Sequence, residues 1–273
     1  MSSPSASLAV WASSWLAGFS APDNVIDSMA EWAPMHLAVA GDQETALETG
    51  LPWPSPRDEG VAGLLTLIRA QVPSDRTNPA IELLLPHPGA TSNVSPKSMF
   101  GRLAIQTGEA VLVGDPETRG LGLVPTVEGP DVLRWTVFSI VLPPRAMRDF
   151  TLGEAEYAMR EAVRGAAEAL GSLQSLPTRT ELGDPRTRIS AELADLGRHR
   201  YPSEMSDRAL RVLESADRVA AILSVAQHSS PTEPATALGA AAREDLIRPL
   251  WAAVRKARAI ALSTSIESRA PGR

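Results

Sequence analysis

The sequence predicts an α+β fold, with N-terminal helices on a small, mainly antiparallel sheet followed by a C-terminal helical bundle. Three observations predict it. Up to about residue 142, short apolar runs such as Ile81 to Leu85, Ala110 to Gly114 and Val132 to Leu142 alternate with turn residues and two or three helical stripes. Pro143-Pro144 then interrupts the chain. Beyond it the apolar period is helical and no further strand pattern occurs. The expected domains are therefore 1–144 and 145–273, with 1–6 and 266–273 disordered.

Taken in order, Leu8, Trp11, Trp15 and Leu16 recur at helical spacing, and Gly18 offers a stop. Pro22 and Asp23 suit the first turn of a second helix, with Val25, Ile26 and Met29 on its apolar stripe. Met35 to Ala40 reads as a strand. Leu51-Pro-Trp-Pro-Ser-Pro56 is a loop, because three prolines in five positions forbid a regular helix or central strand. A third helix follows, with Asp58 and Glu59 in its first turn and Val61, Leu64, Leu65 and Ile68 facing inward. Ile81 to Leu85 is a strand, and His87-Pro88-Gly89 a turn. Ser95-Pro96 reads as an N-cap with proline at the first helical position, opening a helix to about Thr107. Ala110 to Gly114, Gly120 to Val124 and Val132 to Leu142 complete the sheet.

In the second half, Thr151-Leu-Gly-Glu154 has the form of a capping box before a long Ala-rich helix to about Gln174. A short helix spans roughly 187–197. Pro202-Ser203 opens another, with Leu210, Leu213, Val219, Ile222 and Leu223 on its stripe. The last runs from near Thr236 to near Ser263, with Pro249 as a kink point.

Composition narrows function. The chain has no cysteine, so disulfides, thiolate metal sites and Cys nucleophiles are excluded. The first basic residue is Arg57, which speaks against a secretory signal, and the most apolar early stretch, Leu8 to Phe19, is too short to span a bilayer. A cytoplasmic protein without membrane contact is expected. The net charge is −6, divided into −7 over residues 1–150 and +1 over the remainder. Neither part has the basic footprint of a nucleic-acid binder.

The run Phe100-Gly-Arg-Leu-Ala-Ile-Gln-Thr-Gly-Glu-Ala-Val-Leu-Val113, then Gly122-Leu-Val-Pro125 and Leu133-Arg-Trp135, resembles an uncharacterised family of actinobacterial cytoplasmic proteins. The Trp11–Leu16 helix, the Leu84-Leu-Pro-His-Pro-Gly89 turn and the Leu246-Ile-Arg-Pro-Leu250 segment fit the same pattern. The likeness covers about Leu8 to Ser263 and implies shared ancestry, without an activity.

His36, His87, His199 and His228 are scattered, and no His-x-x-x-His pair suggests a metal site. No Gly-x-Ser-x-Gly elbow and no phosphate loop occur. Gly120-Leu-Gly122 opens like a dinucleotide fingerprint, but Pro125 stands where the third glycine belongs. Asp23, Asp27 and Glu31 form an acidic helix face, read as solvated. Arg134 lies inside an apolar strand and needs a partner, for which Glu109 is the candidate. With His87 in its proline-flanked turn, Arg134 and Glu109 make up the candidate ligand-binding set, around a pocket for an anion between sheet and helices. Arg186, Arg188, Arg198 and Arg200 flank the short helix and are read first as solvated surface, second as an electrostatic partner site. Trp11 and Trp15 are read as core. No metal or cofactor is expected. The leading expectation is a non-catalytic accessory or regulatory module that binds a protein partner or a second copy of itself. The alternative is a small-molecule binder or enzyme.

Overall fold

A computed structural model describes residues 3–72, 80–86, 94–145, 150–173, 185–228 and 237–268. The described chain divides into two compact units. One holds the residues up to 145 together with 199–205 and 262–268; the other holds 150–198 and 206–261.

The first unit is built on a six-stranded sheet. Its strands are β1 (Met35–Ala40), β2 (Arg57–Asp58), β3 (Ile81–Leu84), β4 (Ala110–Val113), β5 (Arg119–Val127) and β6 (Val132–Val141), in the order β2-β1-β6-β5-β4-β3. All neighbours are antiparallel except β1 and β6, which run parallel with Met35 opposite Val132. The expected mainly antiparallel sheet is therefore present, with one parallel pair next to its β2 edge.

Alternation gives the sheet two faces. One face carries His36, Ala38, Leu133, Trp135, Val137, Leu123 and Val111, all buried. Three helices serve it: α1 (Pro4–Leu16), which meets β3, β4 and β5; α2 (Pro22–Ala30), which packs on α1; and α4 (Gly60–Ala70), which meets β1 and α2. The expected inward positions of α4, Val61, Leu64, Leu65 and Ile68, are all buried. The other face carries Ala110, Leu112, Val124 and Phe138, packed with Phe100 and Ala104 of α5 (Met99–Thr107). A side chain at Gly122 would collide with the Phe100 ring at 2.5 Å, so glycine lets α5 lie close to the strand.

Several boundaries differ from expectation, each for a local reason. The start is ordered from Ser3 onward: α1 begins at Pro4 because Ser3 caps it, accepting from the Ala6 amide at 3.3 Å. At the other end, Ile266 is buried inside a helix, while 269–273 lie outside the described residues. A short helix, α3 (Gln43–Thr49), was not foreseen, although Asp42 caps its start at 2.7 Å and Gly50 closes it in the left-handed conformation. The helix placed after Ser95-Pro96 starts one turn later, capped by Ser98, because the Ser95 carbonyl is used by the Ser98 amide in a turn.

The second unit is helical: α6 (Leu152–Leu173), α7 (Pro185–Leu196), α8 (Asp207–His228) and α9 (Ala237–Glu267) as far as Ala261. The expected capping box is formed, with the Thr151 amide donating to Glu154 at 2.7 Å and the Glu154 amide to Thr151 Oγ1 at 3.3 Å. α8 packs on α6 and α7. Its buried line is Ala209, Val212, Leu213, Ala216, Ala220 and Leu223. The expected stripe included Ile222, which is instead 47% exposed. The buried line runs through small alanines, so the larger side chains by themselves mark a rotated face. α9 continues through Pro249.

Candidate functional site

The three residues proposed from the sequence do not form one cluster among the described residues. Arg134 projects from the α5-bearing face of the sheet, in phase with Thr136 and Phe138. Its ion-pair partner is Glu128, at the other side of the β5–β6 turn, and not Glu109. Both side chains are about a third exposed. A strand arginine near a hairpin end reaches solvent along its own stem, so the pair is a surface one. Arg134 Nε and Thr126 Oγ1, at directly opposed positions of β5 and β6, are both enclosed and have no hydrogen-bond partner.

Glu109 belongs to the start of α1. Its Oε2 accepts from the Ser5 amide at 2.8 Å. Pro4 has no amide to satisfy and Ser3 takes the Ala6 amide, so the carboxyl completes the cap at the positive end of the helix. Burial pushes the Glu109 carboxyl above its ordinary value, against hydrogen bonds from Ser3 and Ser5 that pull it down. His87 lies outside the described residues. A shallow cleft lined by Glu82, Leu112, Gly114, Pro116, Leu142, Pro143 and Arg145 includes neither Arg134 nor Glu109.

His36 proves to be a core residue. Trp135 Nε1 donates to its Nδ1 at 3.1 Å, and an indole can only donate. The ring proton therefore sits on Nε2, which donates to the Met29 carbonyl at 3.0 Å. This fixes a neutral imidazole between β6 and the end of α2. Burial holds its pKa below the usual histidine value.

A strap crosses the outer helices of the same unit. Residues 199–205 are held by three side chains expected, or available, as core. Trp32 stacks on His199 with centroids 3.6 Å apart and planes within 2°. Trp11 Nε1 donates to the Arg200 carbonyl at 3.0 Å, and Ser14 is hydrogen-bonded to Glu204. Glu31 lies 3.6 Å from His199 Nδ1, and Pro202 and Met205 are buried. Trp11 is thus a half-buried clamp on a second segment and not an interior residue.

In the helical unit two features stand out. Arg258 of α9 is 5% exposed and bonds Asp217 of α8. Burial lowers the Arg258 pKa to about 10, which leaves it protonated near neutrality. Burial, then the charge of Glu214, raises Asp217 to about 7. The sequence contained the signal: Arg258 falls four residues after Val254 and three before Ala261, on the buried stripe.

The second feature is α7. Ile189, Leu193 and Leu196 recur at i, i+4 and i+7, the spacing of a core-facing stripe. α7 packs on α8, yet each of these three is only half-buried and no side chain of residues 186–196 is fully buried. α6, α8 and α9 each contribute fully buried residues. Ile222 of α8 and Val163 and Tyr157 of α6 add exposed apolar area to the unit. Among the described residues no group of three His, Asp or Glu is placed to hold a metal ion, and no helix is long and apolar enough to cross a membrane.

Comparison with known proteins accounts for nearly the whole chain. Residues 5–149 match the model of the Rv1486c-like protein, N-terminal domain, and 153–259 that of its C-terminal domain. The uncharacterized protein Rv1486c of Mycobacterium tuberculosis (strain ATCC 25618 / H37Rv) is 38% identical over 287 residues, covering 98% of this chain and 99% of the relative. The uncharacterized protein ML1804 of Mycobacterium leprae (strain TN) is 36% identical over 296 residues, with 98% and 99% covered. The uncharacterized protein MAV321 of Mycobacterium avium is 33% identical over 301 residues, with 97% and 98% covered. No solved structure matches significantly.

Proposed function

The chain belongs to the Rv1486c-like family, and from that premise we propose that it is a non-catalytic accessory or regulatory protein that acts by binding another polypeptide through its helical unit. The observation that carries this reading is α7. A helix with a regular apolar stripe is stabilised mainly by burying it. Here none of the three stripe residues is fully buried, and exposed Ile222 adds to the apolar surface of the unit. Apolar area left in this way supports a partner that completes the layer.

The test is a photo-reactive amino acid placed at Ala194, an exposed α7 position, in the protein expressed in its host. The expected result is one or a few discrete crosslinked species. A label at exposed Glu117 serves as the control. Equal yields from the two positions would overturn the reading.

One observation favours a second reading, a site for a small anion. Arg134 Nε and Thr126 Oγ1 face each other across β5 and β6 without hydrogen-bond partners. A carboxylate or phosphate displacing Glu128 would satisfy both. A rise in melting temperature with millimolar phosphate or citrate, lost in Arg134→Met, is the expected signature. No rise in the unaltered protein dismisses it.

A further inference from the structure

We propose that His199 is a pH-sensitive latch for the strap: the protonated ring holds residues 199–205 closed on the sheet unit, and the neutral ring lets the start of the segment lift. The latch belongs to the sheet unit and does not depend on the binding role argued for α7.

The strap is held at several points, and one of them titrates near neutrality. Pro202 and Met205 are buried, and the Met205 amide donates to the Pro202 carbonyl at 3.1 Å. The Trp11 indole donates to the Arg200 carbonyl at 3.0 Å, and Ser14 is bonded to Glu204. None of these holds changes between pH 6 and 8. The remaining hold is the His199 ring, stacked on Trp32 with centroids 3.6 Å apart and planes within 2°. Its side chain is 12% exposed, and Glu31 Oε2 lies 3.6 Å from its Nδ1.

The surroundings favour the charged ring. An indole face attracts a cation, and more strongly where water is thinned. Glu31 is the C-cap of α2, so the negative end of that helix adds to its carboxylate. Asp27 lies one turn before Glu31, with Asp23 a turn before that. Within the strap, Glu204 is a further acid and Tyr201 is neutral below pH 9. α1 brings no titratable side chain at all. Burial of the ring opposes charging, as do Arg198 and Arg200 on either side of it in the chain. Arg198 is offset by its own pair with Asp195. The acids of α2, which by spacing alone read as a solvated face, thus acquire a specific cation.

The sign follows from linkage. In an open strap His199 titrates near the ordinary 6.5. In the closed strap the indole and Glu31 hold the proton to higher pH. The latch is therefore fully engaged below about 6.5 and is lost as pH rises through the closed-strap midpoint. For each unit by which that midpoint exceeds 6.5, deprotonation raises the opening constant about tenfold. His36 is shifted the other way and acts below 6.5, so the two histidines work in separate windows.

The test is a nuclear magnetic resonance titration of the full chain from pH 5 to 9, with the His199 ring signal identified by its loss in His199→Phe. Amide exchange over 199–201, corrected for the intrinsic effect of pH, is measured alongside, with the Met205 amide as reference. The expected midpoint lies above 6.5. Protection at 199–201 should fall by about the matching factor between pH 6 and 8.5, while Met205 changes less. Glu31→Gln should lower the midpoint and shrink the pH effect, yet leave protection at pH 8.5 unaltered, which a merely structural glutamate would not do. His199→Phe, which can stack but not titrate, should remove the pH dependence. Unchanged far-ultraviolet circular dichroism establishes that each variant is folded. A midpoint at or below 6.5, protection indifferent to pH, or a pH effect that survives in His199→Phe overturns the proposal.

Discussion

Arg134 in the sheet unit and Arg258 in the helical unit are both set among apolar neighbours, and they meet opposite fates. Arg134 leaves the sheet near a hairpin end and shares Glu128 in partial contact with water. Arg258 is 5% exposed, on a helix whose nearby Val254, Ala257 and Ala261 are buried, and bonds Asp217. The difference follows from secondary structure. A strand end is thin, so a long side chain can bend out past one neighbour. A helix seam encloses the whole stem. The same residue type is therefore expendable in one unit and costly in the other.

The largest effect is expected from separating the buried pair. At pH 8, Asp217→Ala leaves a buried guanidinium without its carboxylate and should cost the helical unit about 3–5 kcal/mol in denaturant unfolding followed by circular dichroism. Arg134→Ala should cost about 1 kcal/mol or less. A smaller loss for Asp217→Ala than for Arg134→Ala would erase the contrast. Replacing both buried partners, Asp217→Leu with Arg258→Met, should recover most of the loss.

His36 is the sheet unit's own buried polar group. His36→Ala strands the Trp135 indole N–H and opens a cavity beside it, and should cost about 2–4 kcal/mol. Five of the six tryptophans belong to the sheet unit, and Trp251 lies in the helical one, so fluorescence follows the sheet unit.

The two units should also respond to acid in opposite directions. His36 is held neutral, with its folded pKa below the 6.5 of the unfolded chain. As pH falls below about 6.5, the unfolded state takes up a proton that the folded state refuses. Stability then drops by up to about 1.4 kcal/mol per pH unit until the folded pKa is reached. Asp217 is raised from 3.8 to about 7. Between those values the folded state holds a proton that the unfolded state lacks. The contribution of Asp217's own titration therefore falls as pH rises from 3.8 through about 7. His36→Asn and Asp217→Asn should each flatten their own unit's dependence. Parallel slopes in the two units would refute the assignment.

The smallest effect concerns the strap. Trp32→Ala removes the stacking surface of His199 and should cost about 1 kcal/mol, seen as faster amide exchange over 199–205.

Much of this architecture was legible in the residues, and the reasons divide cleanly. Strands β1, β3, β4, β5 and β6 were readable because apolar runs bounded by turn residues have few other uses, and the α6 cap because Thr151 and Glu154 act locally. α3 was missed although Asp42 and Gly50 delimit it, because seven residues give too few turns to show a period. The Arg134–Glu109 partnership was inferred from proximity in the strand pattern. Proximity along a sheet does not specify a face, and Glu109 instead meets α1 while Arg134 projects on the face of α5. The strap, the His36–Trp135 bond and the Asp217–Arg258 pair join residues 41 or more positions apart or cross between elements, and no local spacing encodes them.

The strap also has a bearing on how the protein is made. Residues 199–205 and 262–268 belong to the same unit as the sheet, which is otherwise complete by residue 145. On a ribosome, the sheet and its helices emerge early, but Trp11 and Trp32 wait until residues 146–198 have also been made before their covering segment appears. The unit synthesised first is therefore finished late, with two indoles open to chaperones or to neighbouring nascent chains in the interval. A gene cut at the seam near residue 150 would leave that surface open permanently.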